Sequence, residues 1–128
     1  GVIEQLLELA VKTGQIKDRA MALKAVLDRE KLMSTGLEKG IAVPHAKTKA
    51  ADSLTMALGI SKEGIDFASA DKKPSHLFFF LIAPEAAAAQ NVQVLAQIAR
   101  LTARHEFVES LREAKTPFAA LKIIRDEE

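Results

Sequence analysis

Along the chain, stretches with an apolar residue every third or fourth position alternate with shorter ones whose apolar residues are contiguous or recur every second position. This pattern predicts helices arranged around a few strands. Ile3, Leu6, Leu7, Ala10 and Val11 line one face of a first helix that Gly14 stops, and the chain opens within that helix with no room for a preceding element. A second helix starts at Asp18 as N-cap, turns Ala20, Leu23, Val26 and Leu27 inward, and ends in the charged run Asp28-Arg29-Glu30-Lys31. Hydroxyls and glycines from Ser34 to Gly40 predict a loop, followed by a short strand at Ile41-Ala42-Val43.

Residues 54–60 alternate with period two, as a strand covered on one face does, and residues 61–74 read as a polar connection. Residues 76–83 are almost continuously apolar, which predicts a central strand buried on both faces. Pro84 and Glu85 lead into a long helix with Val92, Leu95, Ile98 and Ala99 on its inner face, broken near His105 before Phe107 and Leu111. Thr116-Pro117 is a restart, an N-cap followed by proline at the first helical position, and the last helix turns Phe118, Leu121 and Ile124 inward. Helices before, between and after the strands predict an α/β sandwich, a small mixed β-sheet between helices, with no internal repeat.

Composition narrows what such a fold does. The 128 residues suit one compact domain. Eighteen basic against seventeen acidic side chains leave a net charge of +1, which argues against a nucleic-acid partner. The absence of cysteine excludes disulfides, thiolate metal sites and a cysteine nucleophile, and the absence of Trp and Tyr removes the usual stacking platforms for bases. The longest apolar run, Leu77 to Ala83, falls far short of the ~20 residues that a membrane helix needs, and no secretory leader precedes the first helix. Together these predict a cytoplasmic chain that does not itself insert into a membrane.

His45 is the histidine flanked by backbone-controlling residues. Pro44 fixes its own φ and holds Val43 extended, so the strand is expected to end there with the imidazole at a defined angle. Gly36 and Gly40 allow tight turns or close backbone approach, as an anion site needs. A neutral imidazole is a competent nucleophile near pH 7, and its nitrogen can hold a transferred group. Arg29 can clamp two oxygens of a phosphoryl group, while the Ser34 and Thr35 hydroxyls can donate to the third. Residue types alone leave the bland alternatives open: a strand-end histidine, an exposed helix arginine, and hydroxyls that only turn the chain. His76 and His105 read as structural or solvated, and with no second ligand at metal spacing no metal site is expected. No nucleotide-type glycine loop, nucleophile elbow or paired carboxylate is present.

The run DREKLMSTGLEKGIAVPHAKT (residues 28–48), the strand ending LIAPE and the helix LAQIARL strongly resemble, in order, the type-2 enzyme IIA domains of the bacterial phosphoenolpyruvate-dependent phosphotransferase system. These are the mannitol, fructose and nitrogen-regulatory class. The resemblance covers nearly the whole chain and implies one IIA domain over residues 1–128, without the stretch that usually precedes the family's first helix and so excised from a longer chain or divergent. It implies that His45 is phosphorylated by the phosphocarrier HPr, that Arg29 is the basic side chain near it, and that the acceptor is a IIB domain. A regulated partner protein, or a fused membrane transporter, is the alternative. No cofactor is implied. The family's second active-site histidine falls at Asn91, within Gln90-Asn91-Val92, and an amide can donate a hydrogen bond there but cannot carry charge.

Overall fold

Strand β4 (Ser75–Ala83) is buried at every position but His76, as its unbroken apolar sequence requires. The structure, a computed structural model, describes residues 1–127. On one side of β4 runs β3 (Thr55–Ile65), antiparallel, with Thr55 opposite Ile82 and Ile60 opposite Leu77. On the other side lie β1 (Ile41–Ala42) and β2 (His45–Lys47), both parallel to β4. Ile41 pairs with Leu77 and His45 with Leu81, so the register continues unshifted across the interruption. β1 thus ends before Pro44, as expected, and β2 resumes in the same register. Proline removes one N–H from the ladder, yet the Leu81 amide still donates to the Pro44 carbonyl at 3.1 Å, and pairing resumes at His45.

Because β4 is apolar on both faces, helices must cover both. Phe78, Phe80 and Ile82 meet Ile3, Leu6, Leu7 and Ala10 of α1 (Val2–Val11) and Ala22 and Val26 of α2 (Arg19–Leu32). Leu77, Phe79 and Leu81 meet Ile98 of α3 (Ala88–Thr102), Phe107, Val108 and Leu111 of α4 (His105–Glu113), and Ala120 of α5 (Pro117–Asp126). Each large side chain so buried contributes ~1.5–3 kcal/mol. The result is the expected α/β sandwich, a mixed sheet between a two-helix and a three-helix layer. Caps fall where the sequence puts them: Asp18 accepts from the Met21 amide and Thr116 from the Ala119 amide, each at 3.1 Å.

Several inward faces differ from expectation. In α2 Ala22 is buried and Ala20 is exposed. In α3 the buried positions are Asn91 and Ile98, while Val92 is 63% exposed and Ala99 lies outside; a polar residue on the inner stripe hides its true phase. In α5 the small Ala120 is buried, with Phe118 and Leu121 outside and Ile124 half-buried, because the helix packs closely through alanine. Residues 61–65, expected in a polar connection, belong to β3. The irregularity between Ile60 and Ile65, with Gly64 at φ +89°, lets the strand carry Lys62 and Glu63 outward and still rejoin β4.

The glycines before β1 serve contacts within the chain. A Cβ on Gly36 would lie 2.7 Å from the Ser69 hydroxyl oxygen and 2.8 Å from the Phe67 carbonyl oxygen. Gly40 adopts φ +77°, and its carbonyl accepts from the His76 amide at 2.7 Å. Gly36→Ala is accordingly expected to lower stability by about 1–3 kcal/mol through overpacking. Urea denaturation checks this; an unchanged midpoint would show that the 66–70 segment yields freely.

Candidate functional site

His45 stands where β2 starts, half-buried, two residues after Val43 and four after Ile41. Alternate residues of a strand share a face, and Ile41 and Val43 pack into the α3–α5 layer, so His45 belongs to that side. Its Nδ1 lies 2.7 Å from the Val43 carbonyl oxygen. A carbonyl can only accept, so Nδ1 carries the proton and the neutral ring keeps its lone pair on Nε2. The backbone conformation set by Val43-Pro44 thus selects one tautomer and leaves the lone pair of the other nitrogen free.

After β4 ends at Ala83, Pro84 and a 3₁₀ turn at Glu85–Ala87 lead into α3, and Asn91 occupies the first turn of that helix. Asn91 is only 4% exposed and lies in the same layer as His45, at the end of the sheet where β2 and β4 finish. Its Oδ1 is buried with no hydrogen-bond partner, a deficit worth about 1–3 kcal/mol. Among the described residues no hydrogen bond joins Asn91 to His45.

The remaining expected residues lie in the last turn of α2 and the loop that follows it. Arg29, in the last turn of α2, donates through Nη1 to the Met33 carbonyl at 2.8 Å. Ser34 donates from its hydroxyl to the Phe67 carbonyl at 2.8 Å and accepts from the Gly36 amide at 3.0 Å. Thr35 donates both its hydroxyl and its amide to the Glu30 carboxylate, the amide at 3.2 Å, and its carbonyl accepts from the Val43 amide at 3.0 Å. Val43 thus joins the loop to the imidazole: its N–H is held by Thr35 and its carbonyl holds His45 Nδ1. The structure does not place the Arg29 guanidinium in a hydrogen bond with His45.

Glu30 was missed by sequence reasoning. A carboxylate in the last turn of a helix opposes the helix dipole, and that mismatch was the available signal that it answers to a partner. Among the described residues no group of three or more His, Asp or Glu side chains is disposed to hold a metal ion, and no helix is long and apolar enough to cross a membrane.

Fold and site define an α/β sandwich domain that presents a tautomer-fixed histidine at one end of its sheet. The family model for the phosphoenolpyruvate-dependent sugar phosphotransferase system, EIIA 2, matches residues 1–127, and the chain belongs to that family. It is 42% identical over 116 residues to the PTS system fructose-specific EIIA component of Haloferax volcanii, covering 91% of this chain and 75% of that protein. The crystal structure of nitrogen regulatory protein IIA-Ntr from Neisseria meningitidis matches with TM-score 0.88 at 28% identity, over 96% of this chain and 84% of that one. The complex of enzyme IIA-mannitol with phosphorylated enzyme IIB-mannitol from Escherichia coli matches with TM-score 0.81 at 23% identity, over 98% and 85% of the two chains. That identity shows likeness of fold alone.

The tautomer is open to direct measurement. Long-range ¹H–¹⁵N correlation spectra above the imidazole pKa are expected to show a protonated Nδ1 and an unprotonated Nε2 in His45, against the Nε2–H form that free histidine prefers. An Nε2–H signal would mean that the bond to Val43 does not hold in solution.

Proposed function

We propose that this domain carries a phosphoryl group on His45 Nε2, receiving it from HPr and passing it to a IIB domain. The observation that carries this reading is the Nδ1–H bond to the Val43 carbonyl, which leaves Nε2 unprotonated. Attack of that lone pair on the phosphorus of phospho-HPr forms a P–N bond at His45 and breaks the one at the donor imidazole. The ring then carries both the phosphoryl group and the Nδ1 proton, hence a positive charge, which the Val43 carbonyl stabilises. Onward transfer releases neutral imidazole with the same proton still in place, so no proton need move at His45 in either direction.

The phosphoryl oxygens gather charge in the transition state and need donors. In this reading Arg29 supplies guanidinium N–H groups, the Ser34-Thr35 loop borders the group from the other side, and Asn91 offers its amide. No metal or organic cofactor is required. The PTS system fructose-specific EIIABC component of Bacillus subtilis, 37% identical over 123 residues, supports a IIB domain as acceptor. Incubation with phosphoenolpyruvate, enzyme I and HPr is expected to add one acid-labile phosphate by mass spectrometry. No added phosphate, or one that persists in His45→Ala, would sink the proposal.

Asn91 favours a second reading, in which the phosphorylation state of the domain controls a partner protein. A neutral amide cannot match a protonated histidine in stabilising the transferring group, so the phosphorylated form is expected to be long-lived. The likeness to a nitrogen regulatory IIA protein supports this use of the fold. Asn91→His is expected to speed transfer to a IIB domain by roughly ten- to a hundredfold, about 1.4–2.7 kcal/mol, without changing the phosphate bound per chain. Equal rates in single-turnover assays would show that Asn91 does not limit transfer.

A further inference from the structure

At the opposite end of β4 from His45, a cleft of about 490 Å³ opens between the turn before β1, the loop before β4, and α4. The four steps of chain from Ile41 to His45 alone span about 13 Å, so the cleft and the histidine are separate places. Its volume lies within the usual range of small-molecule sites, roughly 300–1,000 Å³. Three cations, Lys39, Lys73 and Arg112, line it together with the imidazoles of His76 and His105 and the carboxylates of Asp71 and Glu109.

These side chains come from separate segments of the chain. A solvated helix face presents its charges in one row, whereas here Lys39 arrives from the turn, Lys73 from the loop, and Arg112 from α4. Lys39 is held at φ +62°, a left-handed conformation that costs a residue with a Cβ about 1 kcal/mol or more, where glycine or asparagine would sit more easily.

The acidic groups in the cleft are partly committed. Asp71 accepts from the amides of Lys73 at 3.1 Å and Lys39 at 3.2 Å, and the Lys73 amide above all holds its carboxyl below the usual carboxylate range. Glu109 makes a long ion pair with Arg112 at 3.8 Å, one turn away on the same helix. His76 donates from Nδ1 to the Ser61 carbonyl at 2.9 Å, which fixes the ring on the cleft wall.

We propose that this cleft binds a small polyanion, a molecule bearing two or more phosphate or carboxylate charges, at a site distinct from His45. Convergent Lys and Arg side chains at a concave surface supply charge-assisted hydrogen bonds that water alone does not satisfy as well, and Arg112 offers the planar fork suited to either anion. The site stands independently of phosphoryl transfer at His45.

Isothermal titration calorimetry with pyrophosphate and with citrate tests this on the full chain, its Lys73→Ala and Arg112→Ala variants, and His45→Ala. Saturable one-to-one binding of either probe is expected in the parent and in His45→Ala, weakened roughly tenfold in Lys73→Ala and in Arg112→Ala. Preference for pyrophosphate assigns the site to phosphate compounds and preference for citrate to polycarboxylates. The proposal is overturned by no saturable binding of either probe, or by binding that Lys73→Ala and Arg112→Ala leave intact. Binding lost in His45→Ala overturns it too, because the anion would then sit at the histidine. Circular dichroism of each variant separates lost binding from lost fold.

Discussion

Everything in this domain depends on a strand that cannot tolerate water on either face. β4 places Phe78, Phe80 and Ile82 against one helical layer and Leu77, Phe79 and Leu81 against the other, so the sheet must be sandwiched and its order follows. The parallel pairing of residues 41–47 along β4 then fixes where the histidine stands. Pro44 is fully buried within that run, and His45 follows it directly in the same register. Any slip of β1 and β2 along β4 would move His45 and bury its ring or expose Val43.

The site itself is a relay of backbone groups rather than of charges. Glu30 holds the Thr35 amide, Thr35 holds the Val43 amide, and Val43 holds the imidazole proton. The links run from the last turn of α2 through the loop to the strand, so the orientation of His45 is set by the loop of residues 34–37 as much as by its own strand. The antiparallel bridge between Gly36 and Ala42 locks that loop to the strand, and the narrow space at Gly36 locks it in turn to residues 67–69.

How much of this was legible follows from what each element hides. β4, α1 and the caps at Asp18 and Thr116 were readable because their apolar runs and capping residues have one physical meaning each. The inward faces of α3 and α5 were not, because Asn91 is polar and Ala120 is small, and neither weighs in a hydrophobic pattern. β3 runs longer than expected because Lys62 and Glu63 point outward at an irregularity and resemble a loop. At the site, His45 and the Ser34-Thr35 loop stood out through proline, glycine and hydroxyl chemistry and through the family resemblance. The hydrogen bonds that give them meaning are long-range, Ser34 to Phe67 for example, and no local spacing encodes them.

Those bonds also rank the groups that can meet a phosphoryl oxygen. The Ser34 and Thr35 hydroxyl protons are already donated, to the Phe67 carbonyl and to Glu30, so either must break an internal bond before it reaches an incoming anion. Exchange of one hydrogen bond for another leaves little net gain. Arg29 uses Nη1 toward Met33, and its planar guanidinium has further N–H donors to offer while that bond stays in place. The unpartnered Oδ1 of Asn91 gains nothing from a phosphoryl oxygen, since both only accept, so Asn91 can meet the group through its NH2 alone. Within the proposed reaction, Arg29 is therefore the principal anion-binding group and the hydroxyl loop its scaffold.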